Sequence, residues 1–277
     1  MNTTATRSTQ NEELMALSNP AFSTNPAFSS NGQAATVTAE NLEQMYQSPS
    51  ATAVDTDRMT VEDTITKTAI CFVLLLAGAA VGWFVPVLAI PAAIVGFVLA
   101  LVNIFKRRPV PGLILGYSAA QGVFLGAISM FFESQWSGIV IQAVIATFAV
   151  VGVTLALFAS GKIRASAKAT KVFLIAMFGY LAYSLVNLVL MWTGATPGSF
   201  GLNSVELGNT GIKLGLIVGL LVVVLGAYSL VLDFDAIKQG VANRAPRIYG
   251  WSGAFGIMVT VIWLYLEILR MLAISRD

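Results

Sequence analysis

From about residue 60 onward the chain is a series of long apolar runs separated by short clusters of charge. Between Lys67 and Lys106 there is no Asp, Glu, Lys or Arg at all. That interval is long enough for two membrane spans of about 20 residues each, with Pro86 and Pro91 marking the break. The same criterion carried downstream predicts seven spans, near 66–84, 87–105, 112–132, 138–160, 172–192, 211–236 and 253–273. Thr60-Val61-Glu62-Asp63 places an N-cap hydroxyl ahead of two acids, which predicts the start of the first helix. The stretch 194–211 is polar and Gly-rich, without Cys or a ligand cluster, and reads as a connector.

Residues 1–57 differ from everything that follows. They are rich in Asn, Ser, Thr, Ala and Gln and have no sustained apolar period. Such a composition cannot bury enough surface to offset the entropy of ordering, so a disordered tail is expected, followed by a seven-helix membrane domain over 58–277. The tail holds one repeat, Ser18-Asn19-Pro20-Ala21-Phe22-Ser23 and then Thr24-Asn25-Pro26-Ala27-Phe28-Ser29. It reads as a low-complexity spacer or as a docking peptide for a protein partner. The first apolar stretch long enough for a signal-peptide core lies far downstream, so no secretory signal is expected.

Composition narrows the function classes. The chain of 277 residues is 56% hydrophobic and 11% charged, with mean hydropathy +0.77. Soluble domains carry about 25% charged residues, so the expected fold is an all-α integral membrane protein whose main partner is the lipid bilayer. There is no His, which removes Ser-His-Asp and Cys-His nucleophiles and His-ligated zinc or haem. The single Cys, Cys71, allows no internal disulfide or Cys cluster. No glycine-rich motif follows a strand, so no nucleotide-type cofactor is expected. A net charge of +2 gives no reason to expect nucleic acid as a partner. Channel, transporter, carboxylate-based intramembrane enzyme and membrane scaffold remain.

Lys and Arg set the expected orientation. Lys106, Arg107 and Arg108 follow span two, Lys162, Arg164 and Lys168 follow span four, and Lys238, Arg244 and Arg247 follow span six. The alternate loops hold almost no basic residues. The positive-inside rule then puts the N-terminus in the cytoplasm and, with seven spans, Asp277 outside.

A charge inside a span costs about 2.5–3.5 kcal/mol on insertion scales, so each one asks for a reason. Asp233 and Asp235 lie late in span six; Glu267 and Arg270 lie in span seven. Two residues apart on a helix, Asp233 and Asp235 point about 200° from each other, so they cannot face one interior together. Leu230, Val231, Leu232 and Phe234 surround Asp233. It is either a proton sensor or cation ligand, or an interfacial acid paired with Lys238 or the loop cations; Asp235, nearer the rim, is the more ordinary of the two. Glu267 and Arg270, three apart, can form an ion pair on one helical face. That pair is either structural or the border of a polar cavity along the bundle axis. Tyr117, Ser118, Gln121 and Asn187 suit interhelical hydrogen bonds, and Gly112, Gly116, Gly122, Gly253 and Gly256 suit close helix packing.

The run Leu232-Asp233-Phe234-Asp235-Ala236-Ile237-Lys238 and the closing run Leu264-Tyr265-Leu266-Glu267-Ile268-Leu269-Arg270-Met271-Leu272, in a chain of seven spans, resemble the transmembrane Bax inhibitor motif family in a bacterial branch. Phe84-Val85-Pro86 and the basic run after span two fit as well, and the resemblance covers about 60–277. It implies six helices around a central final helix, in the bacterial plasma membrane, and a calcium leak gated by pH. It implies a gate of two acids, one late in span six and one in span seven, with a basic residue at the end of span two. Carried over by position, the first acid is Asp233 and the base is Arg107, with Lys106 as its alternate. For span seven there are two registers. Leu264-Tyr265-Leu266-Glu267 matches the family's acid-bearing run directly. Aligning Arg270 with the family's arginine instead puts Thr260 at the acid position, and this register keeps the spacing to Asp233 closer to the family's. Thr260 and Glu267 are two turns apart, about 10 Å along one face.

Three functions follow as expectations. The first is a passive leak for Ca²⁺ or another cation, with no catalytic activity, lined or gated by Asp233 and Glu267 and charge-balanced by Arg107 and Arg270; the resemblance supplies the calcium. The second is a scaffold that modulates a membrane protease or other partner through the tail. The third is an intramembrane aspartyl protease, since two carboxylates sharing a proton can do that chemistry.

Overall fold

The computed structural model describes residues 56–196, 198–208 and 210–277. The expected tail and its Phe repeat fall almost wholly on residues 1–55, outside the described residues. Seven helices are long and apolar enough to cross a membrane: α1 Val61–Phe84, α2 Ala89–Phe105, α3 Pro111–Gln135, α4 Ile139–Ala159, α5 Ala167–Trp192, α6 Leu214–Ala242 and α7 Gly250–Arg276. Among the described residues there is no strand, only the isolated bridges Arg58–Pro246 and Glu206–Lys213.

Local chemistry sets the helix ends. The Thr60 side chain caps α1 by accepting from the Asp63 amide at 3.1 Å, as the opening motif predicts. Ser166 caps α5 in the same way, accepting from the Ala169 amide, so α5 begins five residues before the expected start. Gly138 turns α3 into α4 at φ +79°, a left-handed conformation that glycine adopts freely. The Glu133 carboxylate closes that turn by accepting from the amides of Gly138 and Val140. α6 runs six residues past its expected end, so Asp233 is not in its last turn but nine residues inside it.

The segment just before α1 is held by the backbone of another part of the chain. The Met59 amide donates to the Ala245 carbonyl at 2.8 Å and the Arg247 amide to the Asp57 carbonyl at 2.9 Å. Residues 57–59 are therefore already paired with the loop between α6 and α7, and Met59 is buried.

α7 is the most enclosed span, with Ala254, Met258, Leu264, Leu269 and Ala273 almost wholly buried. It packs on α6, α1, α4 and α3, while α2 lies outside against α3. Association between apolar helices in lipid depends on close packing, and two glycine seams supply it. Gly78 and Gly82 on α1 face Gly122 and Gly126 on α3. A Cβ at Gly82 would sit 1.9 Å from the Val123 carbonyl oxygen, and one at Gly126 1.9 Å from that of Ala79. The second seam runs antiparallel between α6 and α7: Gly215, Gly219 and Gly226 meet Ile274, Met271 and Leu264, while Gly253 and Gly256 meet Ile237 and Asp233. Of the five glycines read as packing residues, Gly122, Gly253 and Gly256 are in these seams. Gly116 makes only ordinary contact with Leu99, and Gly112 has nothing within 4 Å.

The connector after α5 is folded rather than loose. Its short 3-10 turn, Gly201–Ser204, buries Asn203, which accepts from the Tyr183 hydroxyl at 2.8 Å. Asn187 in α5 accepts from the Leu202 amide and donates to the Phe200 carbonyl. Its polar group thus pins the connector to its own helix.

Gly126→Leu is expected to destabilise the protein by about 1–3 kcal/mol or more, because overpacking here meets backbone. Gly112→Ala, into open space, stays within about 0.5 kcal/mol of wild type. Unfolding in detergent, followed by circular dichroism, checks both.

Candidate functional site

Asp233 lies about 13 Å from the end of α6, at 1.5 Å per residue. It is half-buried against α7. The Thr260 hydroxyl donates to its Oδ2 at 2.6 Å. That uses the only hydroxyl proton Thr260 has, so Ser229, one turn before Asp233 on α6, donates to Thr260 Oγ1 at 3.3 Å. Opposite the other carboxylate oxygen stands Gly256, where a Cβ would come within 3.0 Å of Oδ1. Glycine there leaves the space that the carboxylate occupies. The result is a group of oxygens from two helices in the α6–α7 seam. None of the four ion pairs among the described residues includes Asp233.

Asp235 points away, as the helical geometry predicts. It accepts from Gln239 at 2.6 Å and borders a polar surface hollow with Ser166 and Thr170. Neither acid pairs with Lys238, which is exposed.

Glu267 is 6% exposed and fully committed elsewhere. It accepts from the Tyr180 hydroxyl on α5 and pairs with Arg270 at 2.6 Å. The Arg270 guanidinium lies over the Tyr180 ring, 6.0 Å from its centre. The expected Glu267–Arg270 pair is present, then, with an α5 tyrosine as its third member. Thr260, not Glu267, stands opposite Asp233. The two acids share no bond and belong to separate clusters two turns apart along α7.

Arg107 and Lys106 are not brought to Asp233. Both are exposed at the end of α2, and neither forms an ion pair among the described residues. The reason is topological: α2 packs on α3, outside the α6–α7 seam.

A third cluster was missed by reasoning from the sequence. Lys67, 8% exposed inside α1, pairs with Asp63 one turn earlier. Arg247 also pairs with Asp63, at 2.8 Å. Lys67 donates to the Arg247 carbonyl at 2.7 Å and its ammonium lies 5.6 Å from the centre of the Trp251 ring. The i, i+4 spacing of Asp63 and Lys67 was a visible signal for the first pair. Nothing local signalled Arg247, which comes from the far end of the chain.

A family model described as Bax inhibitor 1 like matches residues 19–277. The chain belongs to the Bax inhibitor 1-like family. The match begins well before Thr60, so the family's pattern reaches into the stretch that the resemblance left outside. No curated protein matches the chain. Membership in the family accords with the seven spans.

Thr260→Val removes the donor to Asp233 and is expected to cost about 1–3 kcal/mol, the penalty of leaving a buried polar group unpaired. Thr260→Ser keeps the hydroxyl and restores most of it. Thermal unfolding of the two variants side by side checks the pair.

Proposed function

We propose that the chain is a passive leak pathway for Ca²⁺ or a related cation, with Asp233 as the ion contact and the α6–α7 seam as part of the route. The observation that carries this reading is the Asp233 carboxylate, held inside a span by Thr260 and without a cationic partner among the described residues. Ca²⁺ is a hard cation that takes oxygen ligands, and Asp233, Thr260 and Ser229 offer oxygens of that kind. A conducting site must also release its ion. Among the described residues no three acidic, Cys or His side chains gather into a cage, which accords with a weak site. Protonation of Asp233 removes the charge offered to the cation, and in this reading it makes the leak sensitive to pH.

Glu267 takes a different role in the same account. Bound by Tyr180 and Arg270, it anchors α7 to α5 beside the path. Its separation from Asp233 supports a conduit without catalytic activity over an aspartyl protease, whose two carboxylates must share a proton. The basic loops support an orientation with the N-terminus in the cytoplasm and Asp277 outside, across a bacterial plasma membrane. Asp233 then lies in the cytoplasmic half of the path.

Ca²⁺ flux into proteoliposomes across pH 5–8 tests the proposal. The wild type is expected to leak calcium. Asp233→Asn changes the rate by about tenfold or more, equivalent to about 1.4 kcal/mol on the barrier, and flattens its pH dependence. Folded wild type that passes no calcium at any pH, or an Asp233→Asn variant that matches it, sinks the reading.

A further inference from the structure

A second cavity lies away from the Asp233 site, between α1, α3, α4 and α7, with a volume of about 330 Å³. That is within the range of small-molecule pockets. Its inner wall is formed by Leu125 and Gly126 of α3, Val144 of α4, and Met258 and Ile262 of α7. Met258 and Ile262 are almost wholly buried, so α7 closes the cavity's floor with little exposed surface of its own. The mouth lies between α1 and α4, which stand apart here and are bridged by the edge-to-face contact of Phe72 with Phe148.

Two properties decide the occupant. The first is polarity. The hydroxyls of Ser129 and Tyr265 bond each other at 2.6 Å, and that of Thr147 bonds back to the Ala143 carbonyl at 2.7 Å. The Ser129–Tyr265 bond leaves one hydroxyl proton over, and beyond these three hydroxyls only the Trp83 indole N–H interrupts an otherwise apolar set of side chains, so the cavity offers few of the two to four polar partners that a buried water needs. Water and hydrated ions are therefore poor occupants. The second is what the mouth faces. Its rim residues Leu76, Phe148 and Phe84 are 51%, 53% and 82% exposed on apolar spans, so the cavity is continuous with the surface that meets bilayer hydrocarbon.

We propose that this cavity holds an acyl chain of a membrane phospholipid, inserted between α1 and α4 and seated against α7. The lining residues lie toward the α1 end that carries Phe84, so the chain comes from the leaflet on that side. Four helices meet around it, and an apolar chain supplies the packing that the protein lacks there.

The test uses the full protein in liposomes containing a phosphatidylcholine with a photoactivatable diazirine near the end of one acyl chain. After irradiation, peptide mass spectrometry locates the adducts. Adducts on Met258 and Ile262 are expected, alongside those on outward residues such as Val87 and Ile90. Val144→Trp fills the cavity and is expected to reduce labelling of Met258 and Ile262 at least fivefold while leaving Val87, outside the cavity, unchanged. Ala80→Phe, which narrows the mouth from α1, serves as the second variant, and circular dichroism confirms that each variant is folded. Labelling confined to outward residues in the wild type overturns the proposal. So does Met258 labelling that persists unchanged in both folded variants. Labelling of Met258 by a small soluble diazirine but not by the lipid also overturns it, because the cavity then admits apolar molecules other than a bilayer chain.

Discussion

A carboxylate nine residues inside a membrane helix finds no hydrogen-bond partner in hydrocarbon, so it needs one in the protein or in a water-lined path through it. For Asp233 that partner is Thr260, and the bond requires α6 and α7 to lie close together. The glycines along the seam make this possible. Gly215, Gly219 and Gly226 let α7 side chains sit against the α6 backbone, and Gly256 leaves room for the carboxylate itself. Packing and polar satisfaction thus depend on each other: a side chain at Gly256 would displace the acid, and an acid without Thr260 would weaken the seam.

α7 is held by polar contacts at successive heights. At its entrance Lys67 and Asp63 of α1 grip Arg247, with Trp251 beside them. Further along, Thr260 meets Asp233 of α6. Beyond that, Tyr265 bonds Ser129 of α3, and Glu267 bonds Tyr180 of α5. Each contact ties the helix to a different neighbour. In a bundle where apolar packing alone is weakly directional, such contacts fix the rotation and height of the central helix. A movement of α7 would have to break or exchange several of them together, which couples the Asp233 site to the rest of the bundle. The apolar cavity borders the same helix through Met258, Val261, Ile262 and Tyr265, so its occupant would press on α7 as well.

The spans were legible because apolar length is a strong and local signal: the uncharged interval between Lys67 and Lys106 and the capping hydroxyl of Thr60 needed no tertiary information. The opposed directions of Asp233 and Asp235 followed from helical pitch, and the Glu267–Arg270 pair from its spacing. What was not legible was long-range. Whether Arg107 or Lys106 stands beside Asp233 depends on where α2 docks, and α2 docks on α3. Tyr180 as the partner of Glu267, and Arg247 as the partner of Asp63, join positions 87 and 184 residues apart. No periodicity encodes such pairings. The choice between Thr260 and Glu267 as the residue facing Asp233 is of the same kind: both lie on one face of α7, and only the height at which α6 crosses it selects Thr260.

The central claim is that the seam around Asp233 is open to water and cations. The single native cysteine, Cys71, is buried, so Ser229→Cys in a Cys71→Ala background places one reactive thiol in the seam. The decisive measurement is its rate of modification by a membrane-impermeant methanethiosulfonate in sealed vesicles, with and without Ca²⁺. The account predicts modification from the side bearing Lys238, slowed severalfold by Ca²⁺. A thiol that stays unmodified from both sides, or one modified at a rate indifferent to Ca²⁺, would contradict it.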